Sequence, residues 1–391
     1  MTTTSGGKIR IAKRLDEVGF SDIVQIRNKV MGMRAEGLQV HALHGGEPYF
    51  ETPEPIKYAA MKALIENQTH YAPSSGIPPL RTALAEKLAR KNKIHVSADE
   101  VIATVGGSQA LYAAFQSVLD PGDDALVFSP YWTPIGDLVT GTQARPLLVP
   151  TTTARRNGIR RTLDQFSTPK TRAIYYNTPQ NPSGLVFTRE EAEEVAAFAI
   201  DRDLIVIADE AYEDLVYDGE HVSIASLPGM AERTITCFTF SKSYAMTGWR
   251  AGYAVAKEPF MTALRKIVLY STNGVSTPVQ YAMLHALKIT DSELVWRRQE
   301  YRKRRDLLVT ALNEVGLECE PPAGAFYAFP SAARIHKNSR TAAQILLDKA
   351  HIATIPGSVF GAQGEGHLRF GYAISIPEIE ACIEALRKFF G

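Results

Sequence analysis

Between residues 101 and 256 the sequence alternates short β-branched runs with longer stretches of helical periodicity, and this alternation is the strongest constraint on the fold. The apolar runs cover 101–107, 124–130, 172–179, 204–212, 234–242 and 250–256. The stretches 108–120 and 188–203 between them repeat apolar residues at helical spacing. Strands that alternate with helices predict an α/β fold, with a mostly parallel sheet covered by helices on both faces.

The rest of the chain has a different pattern, which predicts a second, smaller domain. We expect the large domain to span 46–285 and a small α+β domain to span 286–391, with the N-terminal segment 1–45 joining the small domain. A charged helical stretch opens the C-terminal part, short strand patterns follow it, and a closing helix starts near Pro377. We interpret the basic run 297–305 as a solvated helix face rather than a phosphate-binding surface.

Composition and charge argue against several kinds of partner. The 391 residues include 43 basic and 42 acidic side chains, for a formal net charge of +1, so no nucleic-acid or anionic-membrane partner is expected. Cys237, Cys319 and Cys382 lack the paired spacing of a zinc site or a disulfide framework and are interpreted as buried, reduced thiols. The N-terminus is polar, and no apolar stretch is long enough to cross a membrane. We therefore expect a cytoplasmic enzyme.

Polar residues collect where the predicted strands end, which is where open α/β sheets bind ligands. Gly106 and Gly107 lead directly into a helix whose free N–H groups, with Ser108, suit an anion such as phosphate, although two glycines also make a plain tight turn. Asp209 ends a buried strand and needs a partner, which an ordinary arginine could supply. Asn181 lies in a proline-rich turn, where such side chains often bond their own backbone.

Lys242 gives these residues a common purpose. A lysine at a strand end inside a cleft loses hydration, which lowers its pKa and makes it a nucleophile toward an aldehyde. The aldehyde cofactor that also carries a phosphate, a ring nitrogen and a ring oxygen is pyridoxal 5′-phosphate. Asp209 would keep the ring nitrogen protonated, while Tyr212 and Asn181 would bond the ring oxygen.

The remaining strand-end residues suit the other parts of the same cofactor. Arg250, Thr239 and the helix start at Gly107 and Ser108 would hold the phosphate, with the guanidinium supplying two parallel N–H donors. Trp132, at another strand end, could stack on the ring, or it could be a half-buried core indole.

Ten segments resemble, in order, the motifs of the class I/II aminotransferases, which are fold-type I pyridoxal-phosphate enzymes of the aspartate aminotransferase superfamily. The segments are 44–50, 70–81, 105–111, 129–132, 177–184, 208–212, 241–253, 324–327, 356–361 and 367–373, with SKSYAMTGWRAGY (241–253) the most specific. The resemblance covers nearly the whole chain. It implies a large domain built on a mostly parallel seven-stranded sheet between helices, and a small α+β domain.

The resemblance also implies a role for each matching residue. Catalysis falls to Lys242, Asp209 and Tyr212, and the cofactor is held by Gly107, Ser108, Trp132, Asn181, Asp209, Tyr212, Thr239, Lys242, Arg250 and, from the neighbouring subunit, Tyr71. The substrate carboxylate is bound by Arg369 and Asn181, under a loop that contains Gly46. A tyrosine that reaches the neighbouring site implies a homodimer with shared active sites.

The implied activity is transfer of an amino group from an L-amino acid to a 2-oxo acid, through a Schiff base on Lys242 and pyridoxamine phosphate. The same residues are also compatible with another pyridoxal-phosphate reaction, as in a lyase, a cyclising synthase or an oxidase. A regulator that uses this fold to sense an effector is a more distant alternative, because the short N-terminal segment lacks room and charge for a DNA-binding domain.

Two positions depart from the pattern of relatives, and both concern the substrate. Some aspartate-using relatives carry a lysine at the position of Ser108, so its absence argues against a dicarboxylate substrate. Tyr49 follows Gly-Glu-Pro where many relatives have aspartate. Phe20 and Tyr131 could line an apolar pocket, although core packing is the simpler interpretation of both.

Overall fold

The structure is a computed structural model that describes residues 12–19 and 22–391. Its strands are β1 His41–Ala42, β2 Val101–Val105, β3 Asp124–Ser129, β4 Arg145–Pro150, β5 Thr171–Asn177, β6 Ile205–Asp209, β7 Thr234–Thr239, β8 Ala251–Val255, β9 Tyr327–Ala328, β10 Ile352–Ala353, β11 Ile355–Pro356 and β12 Leu368–Gly371. Its α-helices are α1 Asp22–Ala35, α2 Glu54–Ile65, α3 Pro78–Lys87, α4 Gly106–Val118, α5 Pro134–Thr140, α6 Thr151–Asn157, α7 Ile159–Phe166, α8 Arg189–Asp201, α9 Phe240–Ser243, α10 Phe260–Thr272, α11 Thr277–Ala286, α12 Asp291–Glu314, α13 Ser339–Ala350 and α14 Ile376–Phe390.

Seven strands form one sheet in the order β2-β8-β7-β6-β5-β3-β4. Six of them point the same way, and β8 runs antiparallel to both of its neighbours. The predicted α/β fold with a mostly parallel seven-stranded sheet is therefore confirmed. The strand that the apolar runs did not identify is β4, which contains Pro146 and Pro150 and lies at the edge of the sheet. Edge strands tolerate proline, because a residue that faces away from the neighbouring strand needs no N–H for the sheet.

Helices cover both faces of the sheet, so alternate residues of each strand enter different cores. In β5, Ala173 and Tyr175 pack on the side of α4 and α10, whereas Ile174 and Tyr176 pack on the side of α7 and α8. All of these side chains are fully buried. Burial on both faces explains why the central strands read as nearly continuous apolar runs.

The C-terminal part builds two smaller sheets beside three long helices. β11, β12 and β9 form an antiparallel sheet, and β1 pairs in parallel with β10. The N-terminal strand therefore lies with the C-terminal elements, while the domain boundaries at 45 and 285 stay a prediction. The closing helix α14 begins as the sequence indicates, because Ser375 and Glu378 form a capping box around Pro377 in its first turn.

The basic run 297–305 is structural, but the expectation of a solvated face is wrong for three of its arginines. Arg297, Arg304 and Arg305 are buried, and Arg305 forms an ion pair with Asp218. The guanidinium group of Arg304 stacks on the ring of Tyr49, 4.5 Å from its centroid. Because a guanidinium group is planar and weakly hydrated, it can be buried against aromatic rings when its charge is paired.

The cysteines behave as predicted, since Cys237, Cys319 and Cys382 are all buried and free. Across residues 12–19 and 22–391, none of the helices has both the length and the apolar character that crossing a membrane requires.

Candidate active site

A cavity of about 400 Å³ opens where β5, β6 and β7 end, and it collects most of the residues singled out above. Of the twelve residues to which the resemblance gives a catalytic or binding role, eleven line the cavity: Gly46, Gly107, Ser108, Trp132, Asn181, Asp209, Tyr212, Thr239, Lys242, Arg250 and Arg369. The twelfth, Tyr71, does not line the cavity and is 94% exposed on the surface of the chain. The carboxyl edge of the sheet is thus the site, as expected for an open α/β sheet.

Lys242 lies on the short helix α9, directly after β7, and its side chain reaches into the cavity. Its Nζ donates a hydrogen bond to the backbone oxygen of Gly46, at 2.7 Å. Burial lowers the pKa of Lys242 to about 8, and the positive charges of Arg369 and Arg250 act in the same direction. A much larger fraction of the amine than in an exposed lysine is therefore unprotonated near neutral pH and can act as a nucleophile or a base.

Asp209 is the last residue of β6, and its carboxylate is held by neutral donors. The hydroxyl of Tyr175 donates to Oδ2 at 2.7 Å, and the N–H of Ala211 donates to Oδ1 at 3.2 Å. Within the described part of the chain no arginine pairs with this carboxylate, so the simpler alternative from the sequence is not realised. Burial raises the pKa of Asp209 to about 6, while the two donors oppose this shift. A buried carboxylate without a cation beside it suits a protonated ring nitrogen.

The start of α4 lies close to the β7–β8 region, and the backbone conformation of its first residue favours glycine. Gly106 has φ +73°, and a Cβ there would lie 2.7 Å from Nη2 of Arg250. A Cβ on Gly107 would lie 3.2 Å from that of Thr239, whose hydroxyl accepts the N–H of Ser241 at the start of α9. Free N–H groups, a guanidinium group and a hydroxyl therefore converge at one point, and this combination favours a phosphate.

Arg369 is a buried cation whose partners are neutral. It is 2% exposed, donates from Nη1 to Oδ1 of Asn181 at 3.0 Å, and donates from Nη2 to the backbone oxygen of His44 at 2.9 Å. Its Nε has no hydrogen-bond partner, and no carboxylate of the described residues forms an ion pair with it. Burial lowers the pKa of Arg369. Because a buried charge needs compensation, this group is suited to bind a carboxylate that enters the cavity.

The turn pattern also allowed the side chain of Asn181 to bond its own backbone, and the structure shows that it does not. Its Oδ1 accepts from Arg369, while the backbone N–H of Asn181 donates to Oδ1 of Asn177 at 3.1 Å. The Nδ2 of Asn177 in turn donates to the backbone oxygen of Asp209 at 2.9 Å. Asn177 therefore ties together two strand ends of the site.

Sequence reasoning missed three residues of this site. Asn177 ends a strand, just as Asp209 does, so the same logic would have found it. Tyr327 belongs to a segment that carries the resemblance, and its hydroxyl lies 2.8 Å from that of Tyr212. Tyr175 gave no local signal, because a tyrosine inside an apolar strand is typical of core packing.

The two apolar candidates do not add to the cavity. Phe20 lies outside the described residues. Tyr131 packs against Gly136 and Gly361 and does not line the cavity, which agrees with the interpretation as core.

Comparison with known proteins agrees with this geometry. Residues 39–386 match the model of the family described as aminotransferase class I and II. The chain is 38% identical to the aspartate/prephenate aminotransferase of Thermus thermophilus, over 97% of this chain and 99% of that protein. It is also 38% identical to aromatic-amino-acid aminotransferase 2 of Thermococcus litoralis, over 97% of each chain. A solved structure of the Thermus thermophilus aspartate aminotransferase with maleate superposes with a TM-score of 0.92 at 37% identity, over 97% of this chain and 99% of that one.

Fold and cavity together define a pyridoxal-phosphate-dependent transaminase of fold type I. The chain belongs to the class I and II aminotransferases. It transfers an amino group between an amino acid and a 2-oxo acid, as predicted, rather than catalysing one of the other pyridoxal-phosphate reactions considered.

The residues present fit the cofactor. The start of α4 at Gly106 and Gly107, called the glycine cradle below, suits the cofactor phosphate together with Arg250. The carboxylate of Asp209 suits the ring nitrogen, and the Lys242 amine suits the aldehyde. Bound pyridoxal phosphate supplies an electrophilic carbon and an electron sink for the carbanion at the substrate α-carbon. The chain would supply the other functions: Arg369 would bind the carboxylate, and the unprotonated Nζ of Lys242 would accept and return the α-proton.

Proposed function

We propose that this aminotransferase prefers amino donors whose side chains are neutral, with apolar and aromatic amino acids first among them. The observation that carries the proposal is the set of cations around the cavity. Among the described lining residues these are Lys242, Arg250 and Arg369. Each has a task in amino transfer, so none remains to pair with a second carboxylate.

The three cations are assigned by their surroundings. Arg250 borders the glycine cradle and would hold the cofactor phosphate, and Arg369 would hold the substrate α-carboxylate together with Asn181. Lys242 lies between the Gly46 loop and these arginines and would serve as the covalent anchor and the proton carrier. This division of labour sets the orientation in which the substrate binds.

The wall available to the substrate side chain is mostly apolar. Ile23, Leu111 and Trp132 line the cavity, as does Ser108 in the first turn of α4. A carboxylate placed here would lose water without gaining a cation, whereas an apolar side chain gains about 25 cal/mol for each Å² of surface that it buries. One relative is named an aromatic-amino-acid aminotransferase, which is compatible with this preference. Another is named an aspartate/prephenate aminotransferase, and the proposal separates this chain from aspartate use.

A half-reaction assay tests the proposal without assuming which oxo acid is the acceptor. The holoenzyme is mixed with phenylalanine, leucine or aspartate, and the decay of the absorbance of bound cofactor gives a rate constant for each donor. We expect phenylalanine to exceed aspartate by about tenfold or more, as one charge-assisted pair is worth roughly that factor. Faster reaction with aspartate would contradict the proposal.

A matched pair of variants locates the preference at position 108. Ser108→Lys supplies the missing cation and should shift the ratio of rate constants toward aspartate by about tenfold. Ser108→Met adds similar length without charge and should leave aspartate as poor as before. Equal ratios in the two variants would show that charge at this position does not select the donor.

We further propose a cytoplasmic homodimer in which Tyr71 completes the cofactor site of the neighbouring subunit. Tyr71 does not line the cavity of its own chain and is almost completely exposed. Because burial of a tyrosine ring is favourable, contact with a neighbouring subunit would stabilise this side chain. Three free, buried cysteines suit a reducing compartment. The pairing of β1 with β10 supports a small domain formed by 1–45 and 286–391, next to a large domain over 46–285.

A further inference from the structure

Two adjacent tyrosines on β5 are equally buried but differ in what their hydroxyls contact. Tyr175 and Tyr176 are both 0% exposed and face opposite sides of the sheet. The hydroxyl of Tyr175 donates to Oδ2 of Asp209 at 2.7 Å, whereas the hydroxyl of Tyr176 has no hydrogen-bond partner among the residues that the structure describes. A buried hydroxyl is unfavourable unless it is hydrogen-bonded. Only the hydroxyl of Tyr175, of these two, has its burial compensated, and its partner is a residue of the cavity.

The structure holds the Tyr175 hydroxyl in place from several sides. β5 pairs with β6 in parallel, with Asn177 opposite Asp209, so the phenol approaches the carboxylate from the neighbouring strand. Its ring packs near Phe115 of α4, with the centroids 6.1 Å apart. A donor fixed by the sheet and by a packed ring has little freedom to reorient, which is what a preorganised site requires.

The carboxylate of Asp209 is fixed at both oxygens. Oδ2 accepts from Tyr175, and Oδ1 accepts from the N–H of Ala211. Two donors prevent the group from rotating and stabilise its ionised form. We propose that Tyr175 is a positioning residue, whose hydroxyl keeps Asp209 ionised and oriented so that the cofactor ring nitrogen stays protonated. This inference rests on the proposed contact between Asp209 and that nitrogen.

The other charges around Asp209 show why this donor matters. Glu210 follows it in the chain and disfavours its ionisation, as does burial, while the more distant Lys242 favours it. The neighbouring strand β7 contributes Cys237 opposite Asp209, and Tyr212 approaches from the following loop; both are neutral. The Tyr175 hydroxyl opposes the effect of burial on the pKa of Asp209 more than any other single contact.

The test compares Tyr175→Phe with Tyr176→Phe, which removes an equally buried but unpartnered hydroxyl from the same strand. In cofactor-free protein labelled with ¹³C at the aspartate carboxyl carbon, NMR titration gives the pKa of Asp209, and Asp209→Asn identifies its signal. We expect Tyr175→Phe to raise this pKa by about one unit or more, as a hydrogen bond to a charged group is worth tenfold or more. Tyr176→Phe should leave it unchanged.

A second readout uses the holoenzyme loaded with cofactor labelled with ¹⁵N in the ring. Tyr175→Phe should move the nitrogen chemical shift toward the unprotonated value and lower kcat by about tenfold, with little change in KM, because the substrate-binding groups are untouched. Tyr176→Phe should match the wild type in all three quantities. If Tyr175→Phe leaves both the Asp209 pKa and the nitrogen shift at wild-type values, the inference is overturned.

Two further variants keep the test decisive. Incorporation of 3-fluorotyrosine at position 175 retains the ring and makes the hydroxyl a stronger donor, so the pKa of Asp209 should fall; a rise would contradict the inference even if Tyr175→Phe did not fold. Asp209→Asn should itself move the nitrogen shift. An unchanged shift in that variant would overturn the role of Asp209, and with it this inference, by a result distinct from a failure of Tyr175 alone.

Discussion

Replacement of Lys242 by methionine should make the cofactor-free protein more stable while abolishing amino transfer. The lysine is partly buried in the cavity near Arg369 and Arg250, and desolvation together with these charges lowers its pKa from 10.5 to about 8. In the unfolded chain the same amine keeps its ordinary pKa. The folded state therefore binds the proton less tightly than the unfolded state, and below pH 8 the charged lysine favours unfolding.

The size of this effect follows from the pKa shift. One unit corresponds to about 1.4 kcal/mol, so a shift from 10.5 to about 8 corresponds to about 3 kcal/mol. The stability gain in Lys242→Met should be fully present below pH 8. It should shrink as the pH rises from 8 to 10.5, because the lysine of the folded wild type loses its proton over this range while that of the unfolded chain keeps it, and it should vanish above pH 10.5, where the lysine is neutral in both states.

The assay is urea unfolding of cofactor-free wild type and variants at pH 4, 7, 9 and 10.5, and the quantity compared is the difference in free energy of unfolding at each pH. Asp209→Asn provides a counterpart with the opposite pH window. The pKa of Asp209 is raised from 3.8 to about 6, so the gain in stability from removing this charge should be present above pH 6 and vanish below pH 4. That gain is also about 3 kcal/mol.

The reasoning would be refuted by a difference that does not depend on pH. A gain in Lys242→Met that persists unchanged at pH 10.5 would come from packing of the methionine rather than from loss of a buried charge. A loss of stability at pH 7 would show that the amine is well accommodated in the cofactor-free site, and would remove the argument for its lowered pKa.

Two further predictions concern the cradle and the subunit contact. Gly252→Ala should lower stability by about 1–3 kcal/mol and weaken cofactor binding, because its Cβ would lie 2.5 Å from the backbone carbon of Gly106. The control is Gly32→Ala in α1, whose Cβ would meet no atom of the described residues within 4 Å, and equal effects of the two variants in urea unfolding and cofactor titration would contradict the prediction. Hybrids of Tyr71→Ala and Lys242→Ala subunits should regain amino transfer at one site per dimer, because the intact Tyr71 then serves the intact Lys242; no recovery after mixing would place Tyr71 in its own subunit.

The sheet and the cavity could be predicted from the sequence for a physical reason. Strands buried on both faces read as apolar runs, and residues such as Asp209 and Lys242 stand out where those runs stop. The two glycines that begin α4 were visible in the same way, because Gly106 has a positive φ and Gly107 approaches the side chain of Thr239 closely.

Contacts made across the sheet left no such mark. The bond from Tyr175 to Asp209 joins residues 34 positions apart, and nothing in the run around Tyr175 distinguishes it from Tyr176, which faces the other core. The buried arginines of α12 were misread because helical spacing of charges indicates a surface only when no aromatic rings cover it. The edge strand β4 was overlooked because its prolines resemble those of a loop.

The guanidinium group of Arg369 joins three distant parts of the chain, since it bonds Asn181 and the backbone of His44, 188 and 325 residues away. During synthesis, the N-terminal segment and the sheet leave the ribosome long before this arginine does. Both partners of the guanidinium group are therefore synthesised well before Arg369 itself, and the group that would bind the substrate carboxylate joins the site later than Lys242 and the start of α4.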